Sequence, residues 1–291
     1  MSNYEIITDT GANLTCEQAE KYNIKIIGFP YLIDGKEHTD DPKNKTFETK
    51  ELYSLLKTKT DVKTSLINTA LMEEFFEPFL KNGKDIIYIC LSGGISGTYQ
   101  NSCICKNTLK KKYPDREIYT VNSLSGSYGQ GLLAIKCAKK REAGLSLEEV
   151  FQYASELRFN INHDFTISDL FFLKRSGRLS GAGAILGTLA MIKPMFTLDN
   201  EGKIKIYAKA NGRNKAISIM LDNFRKNIDT ENSDIITVVH GDCSKDADYI
   251  VSEIKKEYPS SEILCDYLTP LVGAHTGPGA IGILYISKNK R

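Results

Sequence analysis

The sequence predicts an α/β protein built from two α/β domains with mostly parallel sheets. Three observations carry this. Short apolar runs bounded by turn residues alternate with longer amphipathic stretches. Capping-box spacings stand where several of those stretches begin. With 291 residues, the chain has room for about two domains at roughly 150 residues each.

The first strand is Tyr4-Glu5-Ile6-Ile7-Thr8, stopped by Asp9-Thr10-Gly11. Thr15 with Gln18 forms a capping box that starts a helix. Residues 25–33 read as a second strand closed by the turn pair Asp34-Gly35. Residues 85–91 hold six apolar side chains before a Ser-Gly-Gly break and form the clearest central strand. Residues 98–112 then read as a helix and 117–121 as a strand ending at Asn122-Ser123. A helix covers 131–141, Gly144 suits its C′ position, and Ser146 with Glu149 caps the next helix. Repeated strand, loop and helix units of this size imply parallel pairing through crossover helices.

The second half adds a hairpin. Strands over 192–198 and 204–208 flank Asp199-Asn200-Glu201-Gly202. Further strands are expected at 234–239, 262–265 and 281–286. The least structured joint lies near 160–164, so the domains are placed at 1–162 and 163–291.

Composition excludes several classes. Lys and Arg number 38 against 36 Asp and Glu, a net charge of +2, which argues against binding driven by the charge of nucleic acid or a membrane surface. Seven cysteines with no C-x-x-C pair argue against a disulfide framework and for a cytoplasmic location. The start Met1-Ser2-Asn3-Tyr4-Glu5 lacks a basic leader. The longest apolar stretch, 179–192, falls short of the roughly 20 residues of a membrane span and reads as a buried helix, so no membrane insertion is expected. The four histidines are scattered and Cys103-x-Cys105 has no partner pair, so no metal site is expected.

Ligands in open α/β sheets sit beyond the carboxyl ends of the strands. That rule points at Ser92-Gly93-Gly94-Ile95-Ser96-Gly97-Thr98. Its glycines permit close backbone approach, and hydroxyls with free N–H groups at a helix start form an anion site. An equally simple reading makes Ser96 a helix cap. No Lys follows the glycines, so a nucleotide-binding P-loop is not supported. The same segment approximates the nucleophile elbow G-x-S-x-G, with Thr98 in place of the last Gly. A serine esterase or thioesterase using Ser96 and His275, with Asp242 as third member, is therefore the alternative. Thr64-Ser65 is a second hydroxyl pair, preceding a helix that starts near Thr69; such pairs are usually turns or caps.

The stretch 271–282 matches G-x-G-x-x-G literally but runs into a strand, so the dinucleotide reading fails. It leaves His275 held between glycines in a loop. Lys174, Arg175 and Arg178 concentrate three cations after an apolar run, either as surface charge or as a carboxylate or phosphate clamp.

These segments, in order, resemble the DegV family of bacterial fatty-acid-binding proteins. The resemblance rests on Ile7-Thr8-Asp9, Thr64-Ser65, residues 92–100, residues 173–180 and Gly273-Ala-His-Thr-Gly-Pro-Gly279. It implies a long-chain fatty acid in a tunnel between the two domains and no other cofactor. It further implies that Thr64 and Ser96 hydrogen-bond the carboxylate, with His275 close to the same head group. Ser65 and Gly97 would lie near the ligand, and Arg175 and Arg178 would face the binding mouth or a partner. Such proteins are non-catalytic carriers that present the acyl chain to a separate fatty-acid kinase, which makes an acyl-phosphate for phospholipid synthesis. The chain departs from the usual pattern at Leu66-Ile67-Asn68, Gly93, Tyr128 and Ser176.

Overall fold

The computed structural model describes residues 3–43, 49–58, 60–178 and 192–291. The chain separates into two compact units. The first comprises Met1–Thr46 and Val62–Phe159, the second Phe47–Asp61 and Asn160–Arg291. A single division near residue 162 thus misses one feature: the second unit also takes in 47–61, a segment that no sequence signal marks.

Along the chain come β1 (Tyr4–Asp9), α1 (Cys16–Lys21), β2 (Ile24–Ile27), β3 (Phe29–Ile33), β4 (Lys36–Asp40) and α2 (Thr49–Lys57). Then follow β5 (Val62–Thr64), α3 (Thr69–Lys81), β6 (Asp85–Cys90), α4 (Thr98–Lys112), β7 (Ile118–Asn122), α5 (Tyr128–Glu142) and α6 (Leu147–Leu157). The remainder is β8 (Ile161–Thr166), α7 (Leu170–Ser176), β9 (Ile192–Leu198), β10 (Ile204–Asn211), α8 (Arg213–Asn227), β11 (Ile235–His240), α9 (Ser244–Glu257), β12 (Glu262–Tyr267), α10 (Pro270–Thr276) and β13 (Ile281–Ile286).

The first unit holds a parallel sheet in the order β2-β1-β6-β7. Its middle strands β1 and β6 bury Ile6, Ile7, Ile86, Ile87, Tyr88 and Ile89, the near-continuous apolar run expected of parallel strands covered on both faces. Both expected capping boxes are present, Thr15 with Gln18 on α1 and Ser146 with Glu149 on α6. A small antiparallel sheet, β4-β3-β5, stands beside it in the same unit. The single strand expected over 25–33 is therefore two strands in two sheets, broken at Gly28. A β-carbon at Gly28 would stand 2.6 Å from the Asp40 carbonyl oxygen, so only glycine lets β4 approach there.

Parallel pairing does not extend to the whole molecule. The second unit's sheet, β10-β9-β8-β13-β11-β12, is mixed; β11 and β12 pair in parallel and the other neighbours are antiparallel. Tight loops are the reason for one of these pairs, because β9 and β10 are joined by a hairpin, which only antiparallel strands accept. Between sheet and helices lies a core of Met195, Met220, Phe224, Ile236, Val238, Ile250, Ile283 and Tyr285.

Helix α2 belongs to the second unit because its apolar face is buried there. Leu52, Tyr53 and Leu56 are almost wholly inaccessible. The Tyr53 hydroxyl donates to the Leu268 carbonyl at 3.3 Å, and its ring lies against Gly273 of α10. Lys57 adds an ion pair with Asp242. The buried helix expected over 179–192 falls, apart from Ile192, outside the described residues. No helix among those described is long and apolar enough to cross a membrane.

Candidate functional site

In the first unit the ends of β1, β6 and β7 support the loop that carries Ser96. Asp9, the last residue of β1, is fully buried and organises it. One carboxylate oxygen accepts from Gly11 N (2.9 Å) and Gln130 Nε2 (3.0 Å). The other accepts from the Tyr88 hydroxyl (2.7 Å) and Leu91 N (3.1 Å). Burial pushes the Asp9 carboxyl up to about 6, against the pull of those four donors. Beyond Leu91 the backbone is fixed by Ser92 N to Ser125 O (2.9 Å), Gly93 N to Asn122 Oδ1 (3.0 Å) and Ser96 N to Ser92 O (3.1 Å).

The Thr64 and Ser96 loops are joined through a residue that the motif reading passed over. Thr98 Oγ1 accepts from Ser96 Oγ at 3.0 Å and from Ile67 N at 3.3 Å. Asn101 Nδ2 reinforces the link by donating to Ile67 O at 3.0 Å. The only sequence signal was Thr98 standing where the elbow pattern expects glycine. Thr64 ends β5 opposite Tyr31 of β3, and Ser65 N donates to Pro30 O at 3.0 Å. Ser96 and Thr64 are half-buried, whereas Ser65 and Gly97 are exposed. Gly97 precedes α4, and a β-carbon there would stand 3.4 Å from Leu66. Asn68, one of the departures from the family pattern, caps α3 by accepting from Leu71 N at 2.9 Å.

The elbow geometry of the esterase alternative is not met at Ser96. It lies six residues past the end of β6 and is not among the residues with positive φ, whereas an elbow nucleophile sits on a sharp, strained turn directly after its strand. Asp242 is engaged by Lys57 and by the Tyr267 hydroxyl at 3.2 Å.

The second unit holds His275, Arg175 and Arg178. Helix α7 is capped by Asp169, which accepts from Phe171 N at 2.8 Å, and it ends at Gly177 with φ of 69°. Arg175 lies 5.6 Å over the rings of both Phe171 and Phe172 and 3.9 Å from Asp61. The Arg178 side chain is partly buried, which lowers the pKa of its guanidinium, and it donates to the Ser176 carbonyl. Helix α10 packs on α7 and carries His275 in its last turn. Arg213 pins the loop that follows, donating to Gly279 O (2.7 Å) and Ser168 Oγ (3.1 Å) while paired with Asp246 at 2.5 Å. No motif pointed to Arg213, because its partners are distant in sequence.

Burial first, then the charges of Arg178 and Arg175, push the His275 imidazole down to about 3. At neutral pH the ring is uncharged, so the two guanidinium groups supply the positive charge here and the imidazole supplies a neutral donor and acceptor. The unfolded chain titrates near 6.5. A depressed folded-state value contributes stability that is present above that pH and lost as pH falls toward 3. Between pH 7 and 5 the wild type is expected to lose on the order of 2 kcal/mol relative to His275→Gln, from about 1.4 kcal/mol per pH step below 6.5. Urea unfolding of both proteins at the two pH values checks this; parallel curves would place His275 in a more hydrated setting. Among the described residues, no group of three or more His, Cys, Asp or Glu side chains is arranged to hold a metal ion.

A family model described as "Uncharacterised protein, DegV family" matches residues 3–288. The chain belongs to the DegV family. A DegV domain-containing protein of Clostridium perfringens is 33% identical over 290 residues, covering 100% of this chain and 99% of that one. The crystal structure of DegV from Bacillus subtilis, described as a fatty acid binding protein, is 27% identical. It superposes with a TM-score of 0.87, covering 99% of this chain and 100% of that one. A stearic acid-binding protein of Eubacterium ventriosum shares the DegV fold at 22% identity, with a TM-score of 0.85 and 98% of both chains covered.

Proposed function

We propose that this DegV protein is a fatty-acid carrier that binds a long-chain fatty acid and performs no chemistry on it. Thr64 and Ser96 hydrogen-bond the carboxylate, His275 lies near the same head group, and Arg175 and Arg178 face the mouth or a partner. The acyl tail occupies the tunnel that the family resemblance implies. The carrier acts in the cytoplasm and presents the carboxylate to a separate fatty-acid kinase, which makes the acyl-phosphate for phospholipid synthesis.

The observation that carries this reading is the Thr98 bridge, which holds two hydroxyl-bearing loops to each other. It occurs in a chain 27% identical to a protein described as fatty acid binding. Two hydroxyls suit a carboxylate, since Thr64 can donate one hydrogen bond and Ser96 a second once its hydrogen turns from Thr98 Oγ1 to a ligand oxygen, while Ile67 N still holds Thr98 in place. The energetics suit retention: a sixteen-carbon tail contributes roughly 12 kcal/mol of gross transfer free energy at ~0.8 kcal/mol per methylene. Hydrogen bonds to the charged head add about 1.5–3 kcal/mol each. The tail therefore sets affinity and the hydroxyls set orientation.

Native mass spectrometry of the purified protein tests the reading. The expected spectrum shows a species heavier than the bare chain by the mass of one long-chain fatty acid, released on denaturation. A bare chain that also takes up no added fatty acid would rule the carrier out.

A further inference from the structure

The small sheet β4-β3-β5 sets three side chains in one row. Tyr31, at the centre of β3, stands opposite His38 of β4 on one side and Thr64 of β5 on the other. Residues directly opposite each other in antiparallel strands point to the same face, with β-carbons about 4.5–5.5 Å apart. His38, Tyr31 and Thr64 therefore form a line across one face, and Thr64 ends it on an edge strand.

That face is the covered one. Tyr31 and His38 are 2% and 9% exposed, and Phe29, Ile33 and Val62 beside them are buried as well. Glu37, Thr39 and Lys63, which point the other way, are exposed. The Tyr31 and His38 rings lie 5.4 Å apart between centroids and are tilted by 31°, a separation usual for paired rings. The Tyr31 ring is thus backed by an imidazole, and its other flank meets Thr64.

Burial first, and then the charge of Asp40 one row along, push the Tyr31 phenol up to about 12. At neutral pH the ring therefore puts no negative charge beside Thr64. The chain leaving Thr64 is fixed at once, because Ser65 N donates to Pro30 O at 3.0 Å. Two residues on, Ile67 N donates to Thr98 Oγ1, which also accepts from Ser96 Oγ. Thr64 thus has the aromatic row on its β3 side, and the chain that follows it is tied to the loop of Ser96.

A threonine carries a methyl and a hydroxyl on one stiff, branched β-carbon, so fixing the methyl aims the hydroxyl. Resting on the carrier reading above, we propose that Tyr31, braced by His38, is a positioning residue for head-group recognition. Its ring packs on the Thr64 methyl and turns the hydroxyl away from β3, where it can meet a carboxylate. Hydrogen bonds to a charged acceptor are roughly twice as strong as neutral ones, so a misaimed donor costs an acid more than an alcohol. Neither Tyr31 nor His38 lies in a recognised motif, yet the pair governs how strongly the site prefers a carboxylate to a neutral head.

The test offers delipidated full-length protein an equimolar mixture of hexadecanoic acid and hexadecanol and quantifies the lipid extracted from it; the shared tail cancels in the acid-to-alcohol ratio. Tyr31→Leu is expected to lower that ratio roughly tenfold, the equivalent of about one hydrogen bond to a charged group. Tyr31→Phe, which keeps the ring, should recover most of it. In a Thr64→Ala background Tyr31→Leu should change the ratio no further, a coupling that general loosening of the fold would not produce. Thr64→Ser keeps the donor and loses the methyl, so it should lower the ratio severalfold, and it decides the matter if Tyr31→Leu does not fold. An unchanged ratio in Thr64→Ser or in folded Tyr31→Leu, beside a lowered one in Thr64→Ala, would overturn the role of the ring and leave the head-group assignment standing. Wild type that binds no acid, or a Thr64→Ala ratio equal to wild type, would remove the reading on which that role rests, and the role with it.

Discussion

Replacing Thr64 and Ser96 together by alanine is expected to weaken fatty-acid retention by roughly 10²–10⁴-fold, from about 1.5–3 kcal/mol for each hydrogen bond to a charged group. The fold should tolerate the change. Both side chains are only half-buried. The link between the loops also survives in part, because Thr98 Oγ1 still accepts from Ile67 N and Asn101 still donates to Ile67 O. The measurement is the fraction of protein carrying fatty acid in native mass spectra, followed by titration of delipidated protein, with thermal melting as the control for folding. A double variant that carries as much fatty acid as wild type would sink the assignment of these hydroxyls. A variant that loses the ligand and also melts far below wild type would point to loop architecture rather than head-group binding.

Local chemistry was legible wherever cause and effect lie a few residues apart. The helix starts at Thr69 and Thr98 and both capping boxes follow from patterns spanning four residues or fewer. Features set by partners far along the chain were not legible. Gly28, between β2 and β3, has no room for a β-carbon because the Asp40 carbonyl crowds it. Helix α2 belongs to the second unit because Tyr53 packs on residues some two hundred positions later. The same division runs through the candidate residues of each unit. Thr64, Ser96 and His275 carry recognisable motifs. The groups that position them, Asp9, Thr98 and Arg213, are ordinary polar residues whose partners are mostly remote in sequence.

Gly277 shows how a glycine-rich motif yields a definite physical expectation once its neighbours are known. At Gly277, within the motif 273–279 around His275, two separate requirements meet. Its φ is 72°, in the region that residues with a β-carbon seldom adopt, and a β-carbon would stand 2.3–2.6 Å from three ring carbons of Phe172. Gly277→Ala is therefore expected to destabilise the second unit by about 2–5 kcal/mol, combining about 1–2 kcal/mol of backbone strain with about 1–3 kcal/mol of overpacking. The displaced ring belongs to α7, and Arg175 lies over that ring, so the arginine should shift with it. Phe172 is buried and Phe172→Leu carries a cost of its own, so the comparison is with that single variant. There Gly277→Ala should cost roughly half of what it costs in wild type, a recovery of the steric part but not of the backbone part, in a thermal or urea unfolding series. Full recovery would mean that φ at 277 relaxes freely. No recovery would mean that the ring is not what the β-carbon meets.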